Sequence, residues 1–261
     1  MSDSSGSVRY SIDDRVCTVT IDAEEKRNAF DFSMIAEMTD VFETLEDRDE
    51  RAIVVIRGAG EQAFSAGFDL SIDPSDRSEG GQNHWAEMVD AIEDYPYPVI
   101  AMINGDTYGG AVEVIAACDI RIAVDDANFG ITPAKIGLVY GGHAINRVME
   151  LIGPGKTKQL LFTGEPIPAD HAFEVGLLNY AVERDALEER TYGMAERMAD
   201  NAPFSLRKMK EIVNVTLEKS RVSDAEEKWI QHLRERARET DDYAEGVTAF
   251  REGREPEFED R

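Results

Sequence analysis

Two glycine-containing turns decide the fold of this chain: AFSAGFDL at residues 63–70 and INGDTYGGAVEV at residues 103–114. Each follows a short apolar run, AIVVI at 52–56 and PVIAMI at 98–103, that is typical of a buried strand. A glycine directly after such a strand lets the backbone turn sharply and approach a ligand, because it carries no Cβ. This repetition of strand and turn predicts an α/β fold.

The second turn opens a predicted buried helix. Gly109 and Gly110 come directly before the apolar stretch at residues 111–117. The start of a helix presents N–H groups without an intrahelical partner and carries a partial positive charge. One N–H donor from each turn can therefore hold a carbonyl oxygen that becomes negative during a reaction. We expect an oxyanion-binding site where the two turns meet.

Hydrophobic periodicity divides the chain into an α/β part and a helical part. The predicted strands are 8–10, 16–21, 52–56, 98–103, 119–124, 127–130 and 178–182, and helices are predicted at 33–45 and 84–94. From residue 141 onward the predicted elements are almost all helices: 142–152, 155–162, 169–175, 185–201, 204–219, 223–239 and 241–251. The polar stretch 71–82, rich in Gly, Ser and Asp, is predicted to be a mobile loop. We therefore predict an α/β core over residues 1–190 and a helical C-terminal region over residues 191–261.

The composition is that of a very acidic globular protein. The 261 residues are 42% hydrophobic and carry a net charge of −25, and the apolar content argues against disorder. Concentrated salt screens repulsion among such charges, so the acidity predicts a halophilic source, with an ordinary acidic cytosolic protein as the alternative. Nucleic acid is excluded as a partner, because binding to phosphates requires basic patches.

The sequence also indicates the compartment and the absence of common cofactors. Cys17 and Cys118 form no disulfide framework, no apolar run reaches membrane-spanning length, and MSDSSGSV at residues 1–8 lacks signal-peptide features. We therefore expect a cytoplasmic protein without membrane contact. The four histidines show no metal-ligand spacing, and the glycines form neither a dinucleotide fingerprint nor a phosphate-binding loop, so neither a metal nor a nucleotide cofactor is expected.

A few polar residues are candidates for chemistry. Glu113 lies one turn into the predicted buried helix, where it can act as a general base or acid, orient water, or simply stabilise the helix start. Tyr140 precedes two glycines and can donate a hydrogen bond to a substrate or only pack. Lys26 and Arg27 belong to a charged loop that can meet phosphates or stay solvated.

With these segments in view, the chain resembles the crotonase, or enoyl-CoA hydratase/isomerase, superfamily. The resemblance runs from about residue 8 to 258. Besides the two turns, it rests on KRNAFDFSM at 26–34, FGITPAKIGLV at 129–139 and LLFTGEPIPADHAFEVGLLNYAV at 160–182. It implies a core of repeated ββα units, a helical C-terminal region that makes trimers and often hexamers, and an acyl-CoA thioester as substrate. Coenzyme A then enters as part of the substrate, with no separate cofactor.

The resemblance also assigns roles to individual residues. It implies that the thioester carbonyl lies between the backbone N–H groups of Phe68 and Gly110. Ala66 lines the coenzyme A channel, and Asp69 and Gly109 belong with it to the substrate-binding set. Lys26, Arg27 and Pro133 complete that set as expected contacts of the substrate.

One departure from the family pattern bears on the reaction. Hydratases of this family use two glutamates that share a water; the first falls on Glu113, but the second falls on Pro133, which cannot exchange protons. The segment TPAKIGLVY, residues 132–140, instead resembles the methylmalonyl-CoA decarboxylase branch, in which Tyr140 would help to position the leaving carboxylate. That branch has a His where this chain has Phe68.

Three functions therefore remain open. The first is hydration or isomerisation of an enoyl-CoA in fatty-acid or amino-acid degradation, with Glu113 moving protons or water. The second is decarboxylation of an acyl-CoA through Tyr140 and the oxyanion hole. The third is a degenerate acyl-CoA binder, which the intact glycine turns disfavour. The acyl group, the choice between trimer and hexamer, and a replacement of the missing glutamate by Asp69 or Asp73 are likewise left open.

Overall fold

A computed structural model describes residues 6–48, 51–72, 80–218, 228, 231–232, 235, 238–254 and 256. The strands are β1 (Ser7–Asp13), β2 (Val16–Asp22), β3 (Ile53–Gly58), β4 (Ala63–Ser65), β5 (Val99–Ile103), β6 (Asp106–Tyr108), β7 (Ile120–Val124), β8 (Asn128–Gly130), β9 (Ile167–Pro168) and β10 (Tyr180–Val182). The helices are α1 (Phe32–Asp47), α2 (Gly80–Asp94), α3 (Gly110–Ala117), α4 (Gly142–Thr163), α5 (Ala169–Glu174), α6 (Leu187–Ala199), α7 (Pro203–Glu218) and α8 (Asp241–Glu252). Short 3-10 helices occupy Glu24–Lys26, Pro133–Ile136 and Arg184–Ala186.

The strands form two sheets. The larger sheet has the order β1-β2-β3-β5-β7-β10, in which β1 and β2 make an antiparallel hairpin and all other neighbours are parallel. The smaller sheet has the order β4-β6-β8-β9. The strands β3, β5 and β7 belong to the larger sheet. Along the chain, each is followed by one strand of the smaller sheet, β4, β6 and β8 respectively. This confirms the mixed α/β fold with repeated strand pairs.

The hydrophobic core lies on both faces of the larger sheet. All five residues of β5 (VIAMI) are buried, as expected for a strand of a parallel sheet that is covered on both sides. Helix α6 packs on β2, β3, β5 and β7, while α1 packs against β1 and α2, and α2 packs against α3. The glycine turns at the ends of β4 and β6 therefore rest on a rigid, fully packed base.

Most predicted elements are present, and the differences have local causes. The predicted loop 71–82 ends earlier, because α2 already begins at Gly80; residues 73–79 lie outside the described chain. The predicted helices 142–152 and 155–162 are confirmed as the two parts of α4, which are separated by a kink at the non-helical residue Gly153 (φ 71°). Strands β4, β6 and β9 have no predicted counterpart; each is two or three residues long, and segments of this length give only a weak periodic signal.

The C-terminal region packs partly on the core. Gly246 of α8 lies against the 3-10 helix at Pro133–Ile136, where a Cβ would come within 2.5 Å of the Ile136 Cα. On α7, the buried Lys210 ammonium donates to Asp119 (2.8 Å) and to the Tyr97 carbonyl (3.2 Å). The predicted helix 223–239 falls mainly outside the described residues, and the division at residue 190 stays a prediction. None of the helices in the described part of the chain has the length and apolar character of a membrane span.

Helix α1 offers a simple test of this fold. Its N-cap, Asp31, accepts a hydrogen bond from the Met34 N–H (2.9 Å), so Asp31→Ala should lower the free energy of unfolding by about 1 kcal/mol. Denaturant-induced unfolding measures this change. Ser33→Ala is the matched control, since the exposed Ser33 hydroxyl donates to the neighbouring Glu37 side chain and caps no backbone group, and it should change the free energy by less than about 0.5 kcal/mol. Equal effects of the two substitutions would contradict the capping role.

Candidate active site

The two glycine turns touch each other. Phe30 and Phe68 form a parallel bridge, in which the Phe30 N–H donates to the Gly67 carbonyl (2.7 Å) and the Asp69 N–H donates to the Phe30 carbonyl (2.9 Å). Gly67 has φ +85°, and a Cβ there would lie 2.7 Å from the Gly110 nitrogen. Only glycine satisfies both the backbone conformation and this close approach.

The same geometry presents backbone donors to one cavity. Because the peptide groups on either side of Phe68 bond to Phe30, the alternation of backbone groups directs the Phe68 N–H away from Phe30. Gly110 is the first residue of α3, so the helix itself supplies no acceptor for its N–H. Phe68 and Gly110 both line the cavity, which has a volume of about 220 Å³. Backbone N–H groups of this kind are the donors that oxyanion sites use, and the binding of a carbonyl oxygen by these two stays a prediction.

Seven of the residues predicted for the site line this cavity. They are Ala66, Phe68, Gly109, Gly110, Glu113, Pro133 and Tyr140. Tyr140 lies close to the second turn, since a Cβ on Gly109 would be 3.7 Å from its hydroxyl oxygen. Pro133 is buried at the start of its 3-10 helix. Tyr243 of α8 also reaches the cavity, so the C-terminal region helps to build the site.

Three other predicted residues lie elsewhere. Lys26 pairs with Asp69 (2.9 Å), which is buried and also accepts the Ser71 N–H (2.8 Å). Burial alone would raise the pKa of Asp69, but the hydrogen bonds from Ser71 and Lys26 outweigh it and lower that pKa. Arg27 lines a separate polar cavity together with Arg184. None of the three lines the 220 Å³ cavity, and their contact with a substrate stays a prediction.

Glu113 is held by two donors. Its carboxylate is buried, with 7% of the residue exposed. The Oε1 atom accepts a hydrogen bond from Arg147 Nη1 (3.0 Å), and Oε2 accepts one from Trp85 Nε1 (2.9 Å). Each carboxylate oxygen therefore accepts a hydrogen bond, and the one from Arg147 is charge-assisted.

Arg147 joins three carboxylates. Besides Glu113, it bonds to Glu93 through Nε (3.0 Å) and Nη2 (2.8 Å), and Nη2 also contacts Asp90. Burial of the guanidinium would lower the pKa of Arg147, but the attraction of Glu93, Glu113 and Asp90 prevails and raises that pKa. Arg147 is therefore a permanent cation that ties α4 to α2 and α3.

An aromatic wall covers the other side of the cavity. Trp85 meets Phe30 edge-on, with ring centroids 5.6 Å apart, and Phe68 at 6.5 Å. Phe68 in turn packs against Phe32 at 5.4 Å. These contacts place the apolar rings of Phe68 and Trp85 in the lining of the same cavity as Gly110.

Trp85 and Arg147 were not found by sequence reasoning. Their partners are distant along the chain, since Glu113 lies 28 residues from Trp85 and 34 residues from Arg147. The one local signal was an arginine between the apolar residues Ala144 and Val148 of α4, which indicates a buried cation that needs a counter-charge.

The sequence profile of the enoyl-CoA hydratase/isomerase family matches residues 11–261. The chain belongs to this family, and the resemblance to crotonases is confirmed.

Relatives of this family catalyse different reactions. Methylmalonyl-CoA decarboxylase of Escherichia coli (strain K12) is 31% identical over 250 residues, which cover 94% of each chain. A short-chain-enoyl-CoA hydratase of Clostridium acetobutylicum is 34% identical over 203 residues, or 77% of this chain and 78% of that protein. A crystal structure of methylmalonyl-CoA decarboxylase matches the fold with a TM-score of 0.87 at 30% identity and covers 98% of both chains.

The contact between the turns predicts a severe effect of Gly67→Ala. The added Cβ meets both a left-handed backbone and the Gly110 nitrogen, so the two N–H donors must move apart. A displacement of about 1 Å costs about 10²-fold in rate, which steady-state turnover of the thioester that the wild type converts would measure. Gly253→Ala is the control, because Gly253 has φ +68° but nothing within 4 Å of its Cβ position. Full turnover in Gly67→Ala would contradict the proposed geometry.

The ion-pair cluster predicts a large loss of stability for Arg147→Met. The change leaves buried Glu113 and partly buried Glu93 without their counter-charge, which should lower the free energy of unfolding by about 3–5 kcal/mol. Arg9→Met removes an exposed pair with Asp22 and should cost at most about 1 kcal/mol. Denaturant unfolding of both variants tests the difference; similar costs would show that Arg147 is not a structural hub.

Proposed function

We propose that this protein decarboxylates a short 2-carboxyacyl-CoA thioester of the malonyl or methylmalonyl type. The observation that carries the proposal is that the carboxylates lining the cavity are engaged in ion pairs. Of the described residues that line it, the carboxylates are Asp90 and Glu113, and both pair with Arg147. The resemblance to the family implies that Pro133 stands at the position of the second glutamate of the hydratases, and Pro133 cannot exchange protons. A hydratase needs carboxylates that exchange protons with water, whereas a decarboxylation needs none.

The first step of the proposed reaction uses the backbone donors. The thioester carbonyl accepts hydrogen bonds from the N–H groups of Phe68 and Gly110. As the bond between the α-carbon and the carboxylate breaks, carbon dioxide leaves and its bonding electrons pass into the thioester as an enolate. The negative charge develops on the carbonyl oxygen, where fixed N–H donors stabilise it most effectively. The enolate then takes a proton from water at the α-carbon.

Tyr140 and the aromatic wall would prepare the carboxylate for departure. The Tyr140 hydroxyl lies beside the second glycine turn, where it can donate a hydrogen bond to one oxygen of the carboxylate. This hydrogen bond would hold the breaking carbon–carbon bond perpendicular to the plane of the thioester. The rings of Phe68 and Trp85 limit hydration of that carboxylate. Because carbon dioxide is neutral, loss of hydration raises the free energy of the charged carboxylate more than that of the product. Phe68 acts through its N–H, so the missing histidine side chain is compatible with this step.

Hydration of an enoyl-CoA is the second candidate. It is favoured by the similarity to the short-chain-enoyl-CoA hydratase and by the place of Glu113 within the first turn of α3. For this reaction Glu113 would have to bind a water molecule beside Arg147 and Trp85, through lone pairs that those two donors leave unused.

The two reactions are separated by one experiment. The purified protein, in concentrated KCl because of its net charge of −25, is incubated with methylmalonyl-CoA, malonyl-CoA and crotonyl-CoA, and the products are measured by mass spectrometry. We expect loss of carbon dioxide from one of the first two and no water added to crotonyl-CoA.

Variants make the assignment specific. Tyr140→Phe should lower decarboxylation by about 10²-fold, because the carboxylate is no longer oriented. Tyr180→Phe is the matched control: Tyr180 lies under Arg190, with 4.0 Å between guanidinium and ring centroid, and should leave the rate unchanged. Hydration of crotonyl-CoA that disappears in Glu113→Gln would overturn the proposal in favour of a hydratase.

A further inference from the structure

Trp85 lies directly on the start of α3. A Cβ placed on Gly110 would be 2.5 Å from Trp85 Cζ2 and 2.9 Å from Cη2, so the six-membered part of the indole covers this glycine. Gly110 is also the residue whose N–H we assign to the oxyanion site. The indole therefore lies next to the place where the acyl chain of a bound thioester would extend from the carbonyl carbon.

The ring is held on several sides. Its Nε1 donates to Glu113 Oε2 (2.9 Å), and its faces and edges meet Phe30 at 5.6 Å and Phe68 at 6.5 Å. The helix that carries it is fixed in turn, because Glu93 of α2 is bonded to Arg147 of α4. A buried hydrogen bond together with aromatic contacts leaves the indole few other rotamers. Trp85 is thus a rigid wall of the cavity.

The cavity is small for an acyl-binding site. Its volume of about 220 Å³ lies below the roughly 300–1,000 Å³ typical of pockets for larger ligands. Trp85, Ile136 and Leu138 supply apolar lining, but the indole is by far the largest of these side chains. Replacing it would open more space than any other single truncation among them.

We propose that Trp85 is the residue that limits the length of the acyl chain. The fixed indole blocks the space beside Gly110 and restricts the site to acyl groups of about three or four carbons. This proposal rests on the proposed acyl-CoA substrate, but it does not depend on whether that substrate is decarboxylated or hydrated.

The test uses saturated thioesters, which undergo neither reaction. Calorimetric titration gives the affinities of the protein for propionyl-, hexanoyl- and octanoyl-CoA, with free coenzyme A as reference. In the wild type, affinity should fall from propionyl to octanoyl. In Trp85→Ala, the ratio of octanoyl-CoA to propionyl-CoA affinity should rise at least about tenfold, because the space left by the indole can bury several methylene groups of the longer chain.

Trp85→Phe separates the volume of the ring from its hydrogen bond. This variant keeps an aromatic ring but loses the N–H that binds Glu113, so it should retain most of the preference for propionyl-CoA. A shift as large as in Trp85→Ala would overturn the proposal and place selectivity in the Glu113 contact. Far-ultraviolet circular dichroism checks folding, and Trp85→Leu replaces the alanine variant if that variant is unfolded.

Two further outcomes would overturn the inference. Equal binding of octanoyl- and propionyl-CoA by the wild type would show that no wall limits the chain, and an unchanged ratio in Trp85→Ala would show that the wall is not Trp85. Thioesters that bind no better than free coenzyme A would instead refute the acyl site itself and, with it, the proposed function.

Discussion

The close contact of Gly67 with the nitrogen of Gly110 is the constraint on which the site depends. It brings the end of a strand of the smaller sheet against the first turn of α3, at a separation that no side chain tolerates. The two turns are held from behind by the Phe30 bridge and by the buried parallel strands. Because both turns are held in this way, the proposed oxyanion donors would need no rearrangement when charge develops on a ligand.

A second constraint is electrostatic. Arg147 is buried among Glu113, Glu93 and Asp90, and a buried cation of this kind is tolerated only when its donors are used. The cluster joins three helices around the cavity and gives Glu113 a fixed orientation. The relatives of this chain include both a decarboxylase and a hydratase. The hydrogen-bond partners of Glu113 therefore matter for the choice between these two reactions.

Much of this site could be predicted from the sequence, because its backbone parts are local. Gly109 and Gly110 follow a strand and start a helix within a few residues, and Glu113 lies one turn further on. Lys26 could be recognised only as a charged residue of a loop. That it pairs with the buried Asp69, 43 residues away, is a result of the strand order and leaves no trace in local spacing.

The sequence by itself determined the α/β core, the two glycine turns and the acidic composition, since these depend on residue type and short-range periodicity. Only the tertiary structure decided that Trp85 covers Gly110 and that Arg147 holds Glu113. Those contacts join residues of different helices, and their geometry is set by how α2, α3 and α4 pack on one another. Helix packing depends on all the buried side chains at once, so no single segment of the sequence contains it.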